Sequence, residues 1–505
     1  MARRAAVIKP SGIAPFIIAS LVRRTAVASI CDSNGEQANI TGHNLGMRLG
    51  ACQMLGCYGS GVMPASGAGG YGSGVMQIRV AGENGIAGSP VAFSSRSFPA
   101  GSDGPSAGEW FASGWTGGNT SHQFICEILH PMDLNRGLRF HARIWRPQSG
   151  GITSLNPCVI ATNSNYGQGV AGVIHPAAST PIALPTVPTN GITDFSWAIS
   201  ESQLVDYTNP ITPLGDGGGY SFRLQRFGGA DIAGEVGILY EQIEDDGQYN
   251  GIQWSKMYTK GGFPSLAPAT DFCNAFTDAM IAEWFLVHAV TQVDSSRRAV
   301  PPMMLIHLLE AGNDANDAAS SCVYKRGTGF GNASVSGNSA GNTKQGIKNN
   351  QQAIINRLRD VWVNVCGYDE SDLYFLLGCY HPQTVNPQYT FVRTTAVDAW
   401  TEMCNENENV SCVDGYKLHT NETFAFRHPS AIYQATTPFI ATSTIPLYRE
   451  PATDEAHLQD LGYRHWGQTV WRAIFDSTLD QNATNPTLRM RVVSSLSGRT
   501  LIDRR

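Results

Sequence analysis

The sequence is short of charge: Asp, Glu, Lys and Arg make up 15% of its 505 residues. Basic residues are the minority, 35 against 41 acidic ones, for a net charge of −6. Nucleic-acid binding usually leaves a basic excess, so no nucleic-acid partner is expected. Long hydrophobic runs are also missing. The longest apolar run near the start, residues 13–22, contains Pro15, and about 20 residues are needed to cross a bilayer. No transmembrane segment is expected. Met1, Ala2, Arg3 and Arg4 look like the start of a secretory signal, with Ala26, Val27 and Ala28 as a cleavage site. However, Arg23 and Arg24 interrupt the path to that cut, and cleavage would remove most of a strand at 25–30. The segment therefore reads as part of the fold, and the compartment stays open. The 11 cysteines include no CxxC pair and no Cys/His cluster at zinc spacing. They read mostly as small core side chains, and no metal or other cofactor is expected.

What is present is apolar, turn-rich material. Hydrophobic residues reach 42% and aromatics 9%, with 54 glycines, which is too apolar for a disordered chain. Two textures alternate. Residues 25–30 and 45–55 read as a strand and a helix. From about 58 to 250 the texture is strands and turns. Leu138, Phe140, Ala142 and Ile144 alternate with Arg139, His141 and Arg143; Phe195, Trp197 and Ile199 alternate likewise, as do Tyr220, Phe222 and Leu224. Each such strand is expected to bury one face and wet the other, as in a β-sandwich or jelly roll. Trp145 falls on the Arg139 face and is expected to be exposed. Trp197 is expected in the core, while Trp110 and Trp115 stay unassigned.

After 250 the α/β texture returns. Strands are expected at 252–258, 303–309, 373–379 and 410–413, and helices at 271–290 and 347–362. Strand and helix alternation implies a doubly wound parallel sheet. The economical organisation is one discontinuous α/β domain, 1–60 and 251–505, with a β-sandwich module inserted at 61–250. Residues near 60 and 250 should then be neighbours. Residues 327–343 and 58–74 read as loops, the latter holding a short duplication from Tyr58 to Met63 and from Tyr71 to Met76. Gly67, Gly69 and Gly72 match GxGxxG, but a strand rather than a helix follows, so no phosphate site is expected.

Chemistry-bearing residues gather at expected strand ends. Ser33, in the run Ser29, Ile30, Cys31, Asp32, Ser33, lies just past the first strand. There its hydroxyl would sit at the carboxyl edge of the sheet, where open α/β sheets bind ligands. Asp454 lies three residues before His457, the spacing of one turn, so its carboxylate could hold the imidazole Nδ1–H and leave Nε2 to accept a serine proton. His465 competes but falls inside the following helix. Asn313, after the strand at 303–309, offers side-chain N–H donors, and Gly262 or its neighbour Gly261 offers a backbone N–H. These are the donor types of an oxyanion hole.

In this order, the four pieces resemble the SGNH, or GDSL-type, esterase and lipase superfamily. The final block is the most specific: Asp454 and His457 are followed by Gly462 and Tyr463. The resemblance covers roughly 24–57 and 251–480. It implies a flavodoxin-like three-layer α/β/α fold and ester hydrolysis through an acyl-enzyme. It also implies Ser33 as nucleophile, His457 as general base and then acid, and Asp454 as its orienter. Oxyanion donors would be Asn313, the Gly262 N–H and the Ser33 N–H. Cys31 and Ala311 stand where the family has glycine.

Other candidates are weaker. Asp314, Asn316 and Asp317 are a conceivable cation cluster, read here as a polar loop. His381 reads as a cap or core residue, and Glu36 and Gln37 as helix-start residues. The expected function is a serine ester hydrolase acting on a small acyl ester, most readily an acetyl group on a carbohydrate. A lipase or short-chain carboxylesterase is the alternative within the enzymes. Outside them, the alternative is an inactive carbohydrate-binding or surface structural protein. The sequence leaves the oligomeric state open.

Overall fold

The computed structural model describes residues 6–32, 45–62, 236–259, 263–327, 334–381, 388–421, 448–450, 454–458 and 460–481, together with individual strands between 79 and 226. Along the chain, the strands of the main sheet include β1 (Val7–Ile8), β2 (Arg24–Cys31), β3 (Cys57–Val62), β4 (Leu138–Trp145), β5 (Ile192–Ile199) and β6 (Val236–Asp245). They continue with β7 (Gly251–Thr259), β8 (Met304–Leu309), β9 (Leu373–Gly378) and β10 (Val410–Val413). In space the core runs β10, β9, β8, β2, β7, β3, with each adjacent pair parallel. Every residue of β2, β8, β9 and β10 is buried. Buried β-branched and aliphatic runs of this kind need cover on both faces.

That cover is helical. Trp254 of β7 meets Trp471 of α6 (Asp460–Gln481) at 6.1 Å. Past a bulge between Lys256 and Tyr258, the Tyr258 ring meets Phe272 and Phe276, which lead into α3 (Asp278–Ala289). Phe285 of α3 in turn packs edge-on to Trp362, just beyond α4 (Lys344–Asp360). The expected α/β class is therefore observed, with a mixed sheet. The residues around Gly56 and Gly251 are neighbours, as expected: Cys57 pairs with Ile252, and β7 also pairs with β2 in parallel. No helix among the described residues is long and apolar enough to cross a membrane. The apolar run at 13–22 instead forms α1 (Ala14–Ser20) and the turn after it, burying Phe16, Ile17 and Leu21.

Counted along the chain, the five strands expected of the α/β part stand in the flavodoxin order 2-1-3-4-5 that the family resemblance implies: β7, β2, β8, β9, β10. β3 is a sixth parallel strand, added on the side of β7 away from β2. The chain leaves β2 for β3, returns through β7, and then crosses to β8 on the other side of β2. The topological switch point therefore lies at β2, where open sheets place their ligand crevice.

Other expectations change. The sheet does not stop at residue 60. β6 pairs antiparallel with β3, β4 with β6, and β5 with β4, so the main sheet runs on into the 61–250 segment. A second antiparallel sheet there contains Ser154–Thr162 and Gly219–Arg226. The charged face of β4 is not simply wet. Arg139 pairs with Asp246, His141 with Glu244, and Arg143 with both Asp194 and Glu283 of α3. Trp145 sits opposite Ile192 and Gly237 in the register; its side chain lies outside the described residues. The helix expected at 271–290 is broken. A π turn over Asp271–Ala275 ends at an extended Phe276, and Thr277 then caps α3 by accepting the Met280 N–H. A threonine hydroxyl that satisfies an orphan N–H starts a new helix there. Most described cysteines are buried, as expected of core side chains.

Candidate active site at the carboxyl edge of the sheet

The strand register brings the expected motifs to one edge. Cys31 pairs with Thr259 on one side and Leu309 on the other, and the Asp32 N–H donates to the Leu309 carbonyl at 3.0 Å. Ser33 is the next residue after Asp32, and Gly261 and Gly262 follow Thr259 closely. All three lie outside the described residues. Asn313 is described, in a 3-10 turn (Gly312–Asn316) directly beyond β8. The topology therefore places the Ser33, Gly262 and Asn313 segments at neighbouring strand ends around the switch point.

Asn313 has a telling electrostatic feature. Its side-chain Nδ2 is buried and meets no hydrogen-bond acceptor among the described residues. Leaving a buried N–H donor unsatisfied costs about 1–3 kcal/mol, so a donor kept in that state at a strand end suits an acceptor supplied by a ligand.

The turn that carries Asn313 is held from both sides. On one side, Tyr380 Oη accepts the N–H of Ala311 at 2.9 Å and of Gly312 at 3.1 Å, and donates to the Asp32 carboxylate. On the other, the Asp314 carboxylate accepts the Ser265 N–H at 3.0 Å and the Ser265 hydroxyl at 2.6 Å. The Asn350 amide donates to that same hydroxyl at 3.0 Å, while its carbonyl accepts the Cys322 N–H. Ser265 lies on the segment that follows Gly262, so the Asn313 turn is tied to the glycine segment and to the residue before Ser33.

Asp314 thus has a use other than the cation cluster considered for it. Asp317 accepts the Ala319 N–H, and Asn316 is exposed. Among the described residues no group of three His, Cys, Asp or Glu is arranged to hold a metal ion. Burial pushes the Asp314 carboxyl up to about 7, against the pull of its Ser265 bonds, with Asp317 and Asp32 adding repulsion. A raised folded-state value means that this group's stabilising share is full below the ordinary carboxylate range near pH 4. That share is lost as pH rises to about 7. Thermal melts of wild type and Asp314→Asn from pH 4 to 8 check this. The variant's Tm is expected to gain on that of wild type across the window, and a constant difference would contradict it.

Sequence reasoning missed Tyr380 and Ser265. Tyr380 is fully inside the core, its ring stacked on Trp400 at 6.2 Å with planes 5° apart. It follows two successive left-handed residues, Gly378 (φ 78°) and Cys379 (φ 74°). A Cβ at Gly378 would come 2.8 Å from the Trp400 ring. Its available signal was position: it follows a buried strand, as Ser33 and Asn313 do. The neighbouring His381 is buried, in keeping with a core or cap residue.

The His457 end differs from expectation. Asp454 and His457 lie in a short strand, β12 (Asp454–Leu458), paired with β11 (Tyr448–Glu450), not in one turn. Successive positions of a strand alternate between faces, so a three-residue spacing there does not stack the two residues as a turn would. Their side chains lie outside the described residues. His465 falls within α6, as expected. α6 does reach the site edge: its Trp466 Nε1–H donates to the Cys379 carbonyl at 2.8 Å. It also crosses α2 (Leu45–Leu55), the helix that follows Ser33. A Cβ at Gly50 would lie 2.2 Å from the Gly467 carbonyl, so these helices touch backbone to backbone. Two other described histidines are poor candidates for the base. His288 and His307 are buried, and desolvation pushes each down to about 4.

No family model matches the chain, and no curated protein matches it. Among solved structures it is similar to a peptidoglycan O-acetylesterase, at 11% identity and TM-score 0.45, over 93% of this chain and 96% of that one. It is also similar to a family two carbohydrate esterase from Cellvibrio japonicus, at 10% identity and TM-score 0.18, over 70% of this chain and 87% of that one. A xylan-binding module overlaps 37% of this chain with 97% of its own length, at 14% identity and TM-score 0.19. These overlaps all fall below a TM-score of 0.5, and none identifies a family.

Proposed function

We propose that the chain is a serine ester hydrolase that works through an acyl-enzyme, with an acetyl or other small acyl group on a carbohydrate as the substrate class. The observation that carries this reading is the buried Nδ2 of Asn313 at the switch point, which has no acceptor among the described residues, one strand away from the segment bearing Ser33. An amide held in this way stabilises negative charge that develops on a carbonyl oxygen in the transition state.

In this reading the Ser33 hydroxyl attacks the ester carbonyl while His457 takes its proton. The oxygen that gains charge is held by Asn313, the Gly262 N–H and the Ser33 N–H. His457 then protonates the leaving alcohol, and a water molecule deprotonated by the same imidazole releases the acid and restores Ser33. Asp454 orients the imidazole. Because β12 is extended, that contact requires the strand to give up its pairing with β11 when the site assembles. Residues 1–60 and 251–505 form the hydrolase domain, and 61–250 form an insertion that carries the main sheet onward and shapes access to the site.

Release of nitrophenol from acetyl, butyryl and octanoyl esters tests the reading. Turnover that favours the acetyl ester and vanishes in Ser33→Ala is expected. A preference for octanoyl would move the substrate class to lipids, and no turnover of any ester would leave a binding protein.

A further inference from the structure

We propose that Tyr380 is a positioning residue that aligns the oxyanion donors with the nucleophile. This inference rests on the serine-hydrolase reading and adds a part that the sequence motifs do not contain. A single phenol oxygen joins two of the three segments that must meet. Its proton goes to the Asp32 carboxylate, next to Ser33, and its lone pairs take the N–H groups of Ala311 and Gly312, which lead directly into Asn313. With one donor and two acceptor sites, the hydroxyl is fully used.

The surroundings hold that oxygen in place. The ring lies flat on Trp400, and the backbone that delivers it is bent by the paired left-handed residues Gly378 and Cys379. Positive φ at a non-glycine residue costs energy and persists only where the surroundings enforce it. Here the Cys379 carbonyl is held by Trp466 of α6, the helix that follows His457. The Tyr380 turn is therefore the point at which the Ser33, Asn313 and His457 segments are all anchored. Burial and the adjacent Asp32 push the phenol well above its ordinary range, so it stays a proton donor at every working pH.

Tyr380→Phe keeps the ring and removes the bridge. A misplacement of about 1 Å at a reacting centre costs roughly 100-fold in rate. The variant is therefore expected to lose about 10- to 100-fold in kcat on acetyl nitrophenyl ester, with KM within about twofold. Asn313→Ala should then cost much less in the Tyr380→Phe background than in wild type, since the amide is already out of place. If Tyr380→Phe does not fold, Trp466→Phe is expected to show the same kcat loss and coupling in smaller measure. Unchanged kcat, or fully additive losses with Asn313→Ala, overturns the role while leaving the hydrolase reading intact. Absence of Ser33-dependent turnover in the wild type overturns the reading and the role together.

Discussion

Ser33→Ala and His457→Ala are each expected to lower kcat/KM on an acetyl ester by about a thousandfold or more, with little further loss in the double variant. A serine without its base and a base without its serine leave the same residual catalysis, that of the oxyanion donors and substrate binding. The wild-type rate should rise with pH through one apparent pKa, because attack needs the neutral imidazole. Asp454→Asn separates two versions of the dyad. If β12 releases its pairing, this variant also loses orders of magnitude. If the strand persists, the loss is small and another group orients His457. A Ser33→Ala protein with near-normal turnover would remove the nucleophile assignment altogether.

Asn313→Ala is expected to lower kcat by about 100-fold or more while KM changes little. The physical reason is the state of its amide. A donor already buried and without an acceptor among the described residues gives up little hydration when the oxyanion forms. Its interaction therefore strengthens as charge develops on the carbonyl oxygen, which appears in kcat rather than KM. Stopped-assay kinetics over a tenfold range of ester around KM separate the two parameters. A rise in KM with kcat intact would make Asn313 a ground-state binding residue and place the oxyanion hole elsewhere.

Much of the scaffold was legible because its signals are local. Met304–Leu309, Leu373–Gly378 and Val410–Val413 are wholly buried strands, and apolar runs between turns announce them. The junction at Cys57 and Ile252 followed from the change in texture near 60 and 250. What was not legible depends on long-range pairing. Nothing local to β3 says that β6 continues the sheet beyond it. The break at Phe276 was masked by an apolar stripe that runs across it, although Thr277 with Asp278 behind it was a legible cap. The strand from Asp454 to Leu458 draws its conformation from Tyr448–Glu450, which no short-range pattern couples to it.

The site shows the same division. Ser33, Asn313 and His457 could be singled out because their residue types fit the proposed chemistry. Tyr380 could not, since its role depends on meeting Asp32 across 348 residues of sequence. It also depends on a left-handed Cys379, a conformation that local preference disfavours. Asp314 was visible only as one acid among neighbours, and its tie to Ser265 gives it a different part.

Covalent trapping tests the central claim most directly. The protein is incubated with a fluorophosphonate, an acylation-like probe that reacts with activated serines, then digested and analysed by mass spectrometry. A single adduct on Ser33 is predicted, formed in step with the loss of esterase turnover and abolished by His457→Ala. Loss of turnover with the adduct on another serine, or turnover that persists with Ser33 fully modified, would contradict the account.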